Sequence, residues 1–125
     1  MDNELQTADE RNVLPLGIFP EPILNLPKAD IPISGISAYL SQSSTHQIIF
    51  MEFSKDVDLP AHSHAAQVGF VLEGTIELTI GEKKYTFIKG DRYYIPKDVI
   101  HSGRIYAGYA DITFFEQCDR YPQKS

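Results

Sequence analysis

The sequence has one cysteine, Cys118, among 125 residues. An intrachain disulfide is excluded, and so is a zinc site built on thiolates. The neighbours Glu116, Gln117 and Asp119 make the surroundings acidic, which does not favour a reactive thiolate. No stretch approaches the ~20 consecutive apolar residues of a membrane-spanning helix. The opening stretch, residues 1–12, has neither the basic head nor the apolar middle of a secretory signal, so a cytoplasmic protein is expected. Basic residues are also scarce, 11 against 17 acidic ones, for a net charge of -6. A phosphate-binding surface needs clustered Lys and Arg, so no nucleic-acid partner is expected. The short pair Lys83-Lys84 reads as solvation of an edge strand.

Amphipathic helices of convincing length are missing as well, and there is no internal repeat or low-complexity segment. What is present divides into two parts. Residues 1–34 read as an N-terminal arm: a polar stretch over 1–12, expected to be disordered, then a proline-punctuated stretch with Pro15, Pro20, Pro22, Pro27 and Pro32. That proline spacing forbids a long helix. Leu14, Leu16, Ile18, Phe19, Ile23, Leu24 and Leu26 lie between the prolines. They suit an extended arm that packs on a barrel or crosses to a second subunit, and a homodimer is expected, since the arm left unpacked exposes a large apolar patch.

Residues 35–125 read as β. Strands are expected over 35–42, 47–53, 68–72, 75–80, 84–88, 92–95, 99–106 and 110–115, with 68–72 and 75–80 forming a hairpin at Glu73-Gly74. In 75–80, Ile76, Leu78 and Ile80 alternate with Thr75, Glu77 and Thr79, the period of a strand with one buried face. The recurrence of turn residues fits an all-β sandwich or barrel.

Three of the four histidines fall in two places, His62-Ser63-His64 and His101. Residues i and i+2 of a strand share a face, so His62 and His64 can present two imidazoles to one point. His101 is the obvious third donor. Neutral imidazole is the usual ligand of zinc, iron, nickel or copper.

The segment His62-Ser63-His64-Ala65-Ala66-Gln67-Val68-Gly69-Phe70-Val71-Leu72-Glu73-Gly74 resembles the first cupin motif. The segment Gly90-Asp91-Arg92-Tyr93-Tyr94-Ile95-Pro96-Lys97-Asp98-Val99-Ile100-His101 resembles the second. The resemblance spans roughly residues 56–105. It implies an antiparallel jelly-roll barrel (a double-stranded β-helix) holding one divalent transition metal ion, zinc, iron, manganese or nickel, through His62, His64 and His101. Four positions depart from the family pattern. Asp56 and Asp98 stand where the motifs have glycine; both are expected in turns with positive φ, which Asp tolerates. Ile105 replaces a closing Asn. Gln67 stands where the motif has its glutamate, counting back from Gly74.

Gln67 is thus the expected fourth ligand through its carbonyl oxygen; the alternative is that it points elsewhere and water takes the position. Three imidazoles and an amide leave a divalent ion its full +2 charge, which favours an anionic oxygen ligand. This ligand set resembles that of small cupins acting on unsaturated sugar acids. The resemblance therefore implies a metal-dependent enzyme, of isomerase, lyase or oxygenase type, whose partner is a small oxygenated anion such as a sugar acid. An effector-binding sensor module is the alternative.

Two candidate catalytic residues stand out. Asp111 interrupts the apolar strand Tyr109–Phe115, either as an acid or base in the pocket or as an edge residue facing water. Of the tyrosines around the second motif (Tyr93, Tyr94, Tyr106 and Tyr109), Tyr94 is the candidate to project into the barrel mouth. Arg104 is expected to point outward if His101 points inward. His46, alone beside a turn, is expected to be exposed.

Overall fold

The computed structural model describes residues 18–124. The expected disordered stretch 1–12 lies outside these residues, as do Leu14 and Leu16 of the arm. Among the described residues, a single helical turn, α1 (Glu21–Leu24), precedes nine strands: β1 (Ile36–Gln42), β2 (Gln47–Phe53), β3 (Val57–His62), β4 (Gln67–Glu73), β5 (Thr75–Ile80), β6 (Lys83–Ile88), β7 (Arg92–Ile95), β8 (His101–Ile105) and β9 (Ala110–Phe115). They form two antiparallel sheets, ordered β1-β2-β9-β4-β7 and β3-β8-β5-β6. The architecture is the expected all-β jelly-roll barrel.

Alternation sets the two faces of each strand. In β2, Gln47, Ile49, Met51 and Phe53 are buried while Ile48, Phe50 and Glu52 are only partly covered. The inward side chains of both sheets meet in one core that includes Leu40, Ile49, Ile76, Leu78, Ile95 and Phe115. Each such side chain contributes roughly 1.5–3 kcal/mol on burial.

Two features differ from the sequence expectation. First, β3 has no counterpart among the expected strands. Only Val57 of its six residues is buried, so the strand carries no alternating apolar signal, and Pro60 argues against a ladder. Among the described residues it is an edge strand paired only with β8, and its register shifts between Leu59 and His62. An edge with a bulge is where proline is tolerated. Second, β4 and β5 are not a hairpin. They belong to different sheets, and Gly74 carries the chain from one to the other at φ 78°. A Cβ there would lie 2.6 Å from the Tyr109 Cα, so the crossing point needs glycine for space as well as for conformation. The true hairpin is β5–β6, closed by Gly81-Glu82, with Lys83-Lys84 on the edge strand as expected.

The proline-rich segment is built into the barrel. Pro22 sits in the first turn of α1, where its missing N–H is no loss. Phe19 is buried edge-on against Phe50, with ring centroids 5.7 Å apart. The Ala29 N–H donates to the Ala38 carbonyl and the Leu40 N–H to the Pro27 carbonyl, which aligns residues 27–29 beside β1. Residues 30–33 then run along the barrel opening.

Candidate metal centre

His62 ends β3 and His101 begins β8, and the two are register partners beyond the bulge. His64 lies outside any strand, in the connection to β4, so the two neighbouring imidazoles do not come from one strand as expected. Its backbone carbonyl accepts a 2.9 Å hydrogen bond from the Asp98 N–H instead, and its ring meets Phe115 edge-on. Asp98 has φ 64°, the positive value expected there. Asp56 does not share it: its carboxylate accepts the Ala107 N–H at 2.8 Å and pairs with Arg104, so its side chain, not its backbone, is what the position uses.

The three rings converge. Centroids are 4.2 Å apart for His62 and His101, 4.7 Å for His64 and His101, and 5.2 Å for His62 and His64. Their ligand nitrogens lie within 4.8 Å of one another. In each ring Nδ1 meets a backbone carbonyl: Pro60 at 2.7 Å, Ala65 at 2.8 Å and Val99 at 3.0 Å. Donation from Nδ1 places the proton there and leaves Nε2 as the free ligating nitrogen in all three. Desolvation by burial lowers the pKa of His64 to about 4 and lowers that of His101, which keeps these rings neutral, the form a metal needs. Tautomer, spacing and protonation state all fit a divalent ion.

Gln67 opens β4 and is almost fully buried. Its Nε2 donates to the Tyr93 hydroxyl at 3.2 Å, which leaves the amide oxygen as the atom free for ligation. Tyr93 is itself buried, and Gly69 makes room for it: a Cβ on Gly69 would sit 2.1 Å from the ring. Tyr94, the expected tyrosine, is 59% exposed on the outer face. Strand parity on β7 puts Tyr93 and Ile95 inside and Tyr94 outside, so the tyrosine of the cavity is Tyr93.

Asp111 faces inward. It is 3% exposed and lines a cavity of about 720 Å³ that also contains His62, His101, Gln67 and Tyr93. One carboxylate oxygen accepts the Tyr109 hydroxyl at 2.6 Å, and the other has no partner among the described residues. Burial pushes its pKa up to about 7, against the opposing pull of the Tyr109 hydrogen bond. Arg104 points outward, as expected, and is paired with Asp58 at 2.6 Å and Asp56 at 3.2 Å. Cys118 is exposed. His46 is half-buried, stacked on Phe114, because Ser43 and Thr45 hold its ring against the sheet.

Sequence reasoning missed Arg120 and Thr113, which also line the cavity. Thr113 shares the parity of Asp111 on β9, a signal that alternation carries. Arg120 lies beyond the last strand, where no periodicity says which way a side chain points.

The profile of the cupin domain family, Cupin_2, matches residues 49–107. The chain carries a cupin domain. Solved cupins share its fold. A RmlC-like cupin from Shewanella frigidimarina superposes with a TM-score of 0.68 at 20% identity, covering 78% of this chain and 88% of the other. KdgF from Halomonas sp. gives 0.62 at 18% identity, covering 73% and 87%. An oxalate decarboxylase from Bacillus subtilis gives 0.65 at 16% identity, covering 77% of this chain and 28% of that longer one. No curated protein matches the sequence. Among the described residues, no helix is long and apolar enough to cross a membrane. The profile match includes the whole histidine cluster of the cupin domain and stops short of Asp111 and Arg120.

Proposed function

We propose that this cupin domain is a metal-dependent enzyme, of isomerase, lyase or oxygenase type, acting on a small oxygenated anion such as a sugar acid. His62, His64 and His101 hold one divalent transition metal ion, and Gln67 supplies the fourth ligand through its amide oxygen. The observation that carries the reading is the common tautomer: three carbonyls occupy three Nδ1 atoms, which leaves each Nε2 free, and the three rings belong to one cluster. A bound ion with four neutral ligands supplies Lewis acidity toward an anionic oxygen.

The chain's own residues do the rest. Ile76, Leu78, Ile95 and Ile105 give the cavity a largely apolar wall. Asp111 exchanges a proton with the substrate. A carboxyl group whose pKa is near 7 is populated in both forms at neutral pH, as acid–base catalysis requires. Tyr109 keeps its proton, since burial raises its pKa, and so holds Asp111 in place as a donor. A sensor module needs only the ligand cluster; the acidic group inside the cavity favours the enzyme.

Metal content decides the first half of this reading. Protein purified without nickel resin, added metal or chelator should contain about one ion per chain by elemental analysis. Replacing His62, His64 or His101 by Ala should remove most of it, because two imidazoles hold a small ion poorly. Gln67→Ala should retain more, since water takes the vacated position, and Gln67→Glu should match or exceed the wild type. Full occupancy in His101→Ala overturns the site. Turnover of sugar acids that survives in Asp111→Asn overturns the role given to Asp111.

The domain is further proposed to form a homodimer through the outer face of the five-stranded sheet. Ile48, Phe114, Val68 and Tyr94 form one cross-strand row there, and Phe50, Ile112 and Phe70 form the next. Phe70 and Tyr94 are exposed. A face so apolar suits a second copy of itself.

A further inference from the structure

Arg120 stands out among the cationic side chains. Arg104, on the outer surface, is held by two carboxylates. Arg120 is half-buried at the cavity, yet among the described residues it has no salt bridge and its Nε has no hydrogen-bond partner. Its guanidinium lies over the rings of Tyr121, 4.3 Å from the centroid, and Phe115, 5.7 Å away. Aromatic faces orient a guanidinium without neutralising it. In a chain with 17 acidic residues, a half-buried arginine without a carboxylate calls for an explanation.

The backbone that carries Arg120 is pinned. Gln47, with no exposed surface, donates from Nε2 to the Tyr121 carbonyl at 2.8 Å and accepts the Tyr121 N–H at 3.0 Å. The Asp30 N–H donates to the Pro122 carbonyl and the Lys124 N–H to the Lys28 carbonyl, both at 2.8 Å. The segment after β9 is therefore a strap tied across the barrel opening, not a loose tail. The buried side-chain atoms left without partners among the described residues belong to Asp111, Thr113 and Arg120, and all three line this one cavity.

We infer that Arg120 is the anion-binding residue of the cavity and takes the carboxylate of a small organic acid. Its forked donors match a carboxylate geometrically, and the apolar surroundings strengthen the pair. The strap fixes the distance between this carboxylate and the histidine cluster, so it selects ligands whose reactive oxygen lies a set span from the acid group. The inference deepens the proposed function and rests on it for the chemistry, but binding is read without metal.

The probes are malonate and malonamide, its uncharged diamide, titrated by calorimetry into the metal-free full chain. Wild type should bind malonate saturably and malonamide not at all. Arg120→Gln should weaken malonate about tenfold or more, with an unchanged near-ultraviolet circular dichroism spectrum and, in a separate preparation, unchanged metal content. Arg120→Lys, which keeps the charge and loses the fork, should fall between, and it serves if Arg120→Gln does not fold. Equal malonate affinity in wild type and either variant overturns the assignment, and so does a wild type that binds no malonate. Metal retained in His101→Ala overturns the metal reading alone and leaves this result standing.

Discussion

At the scale of single residues, burial determines chemistry more than identity does. Asp111 and Asp58 are both aspartates in strands, but Asp58 faces water beside Arg104 while Asp111 is enclosed with its second oxygen unpartnered. The enclosed carboxyl has its pKa raised from 3.8 to about 7. A group whose folded pKa lies above its unfolded one favours the fold fully below the unfolded value and loses that contribution as pH rises through the folded value. The window here runs from about pH 4 to about pH 7. Metal-free wild type should therefore lose stability relative to Asp111→Asn across that window, by roughly 1.4 kcal/mol for each pH unit crossed. Melting temperatures of the two proteins that run parallel from pH 4 to 8 would show that burial does not disfavour the charged carboxylate. Gly69 acts through its lack of a side chain. Gly69→Ala should displace Tyr93 and, through it, the Gln67 amide; a lower metal content with the fold retained is the expected readout.

At the scale of elements, bulges and crossings place the site. The register shift in β3 brings His62 opposite His101, and the short connection after it adds His64. Gly74 moves the chain between sheets. Gly74→Ala meets both a left-handed backbone and a Cβ contact of 2.6 Å with the Tyr109 backbone, so it should destabilise the domain by more than about 1 kcal/mol. Urea unfolding of wild type and variant reads this directly; a difference within error means that the crossing tolerates a side chain. Strand periods were legible wherever one face is buried and the other is not, as in β2 and β5. They were illegible in β3, where an edge strand buries a single residue and the residue pattern therefore carries no period.

At the scale of the whole molecule, the expected outcome is a dimer at micromolar concentration by light scattering. Phe70→Glu should shift it toward monomer without changing metal content, because Phe70 lies on the outer face, away from the cavity. A wild-type monomer sinks this expectation. The sequence by itself determined the barrel and the three histidines, because alternation, turn spacing and two motifs are local patterns that survive in one dimension. It also determined that Arg104 faces outward, which follows from parity with His101. Only the tertiary structure decided that Tyr93 and not Tyr94 enters the cavity, because both parities of β7 are aromatic and pairing with β4 selects one. It alone decided that Asp111 faces the cavity and that Arg120 joins it. Asp111 depends on which side of β9 the second sheet covers, and Arg120 on a strap whose position is set by Gln47 through Tyr121, 74 residues further along the chain. Contacts of such separation leave no local trace, since the side chains that make them are chosen by packing and not by their neighbours in sequence.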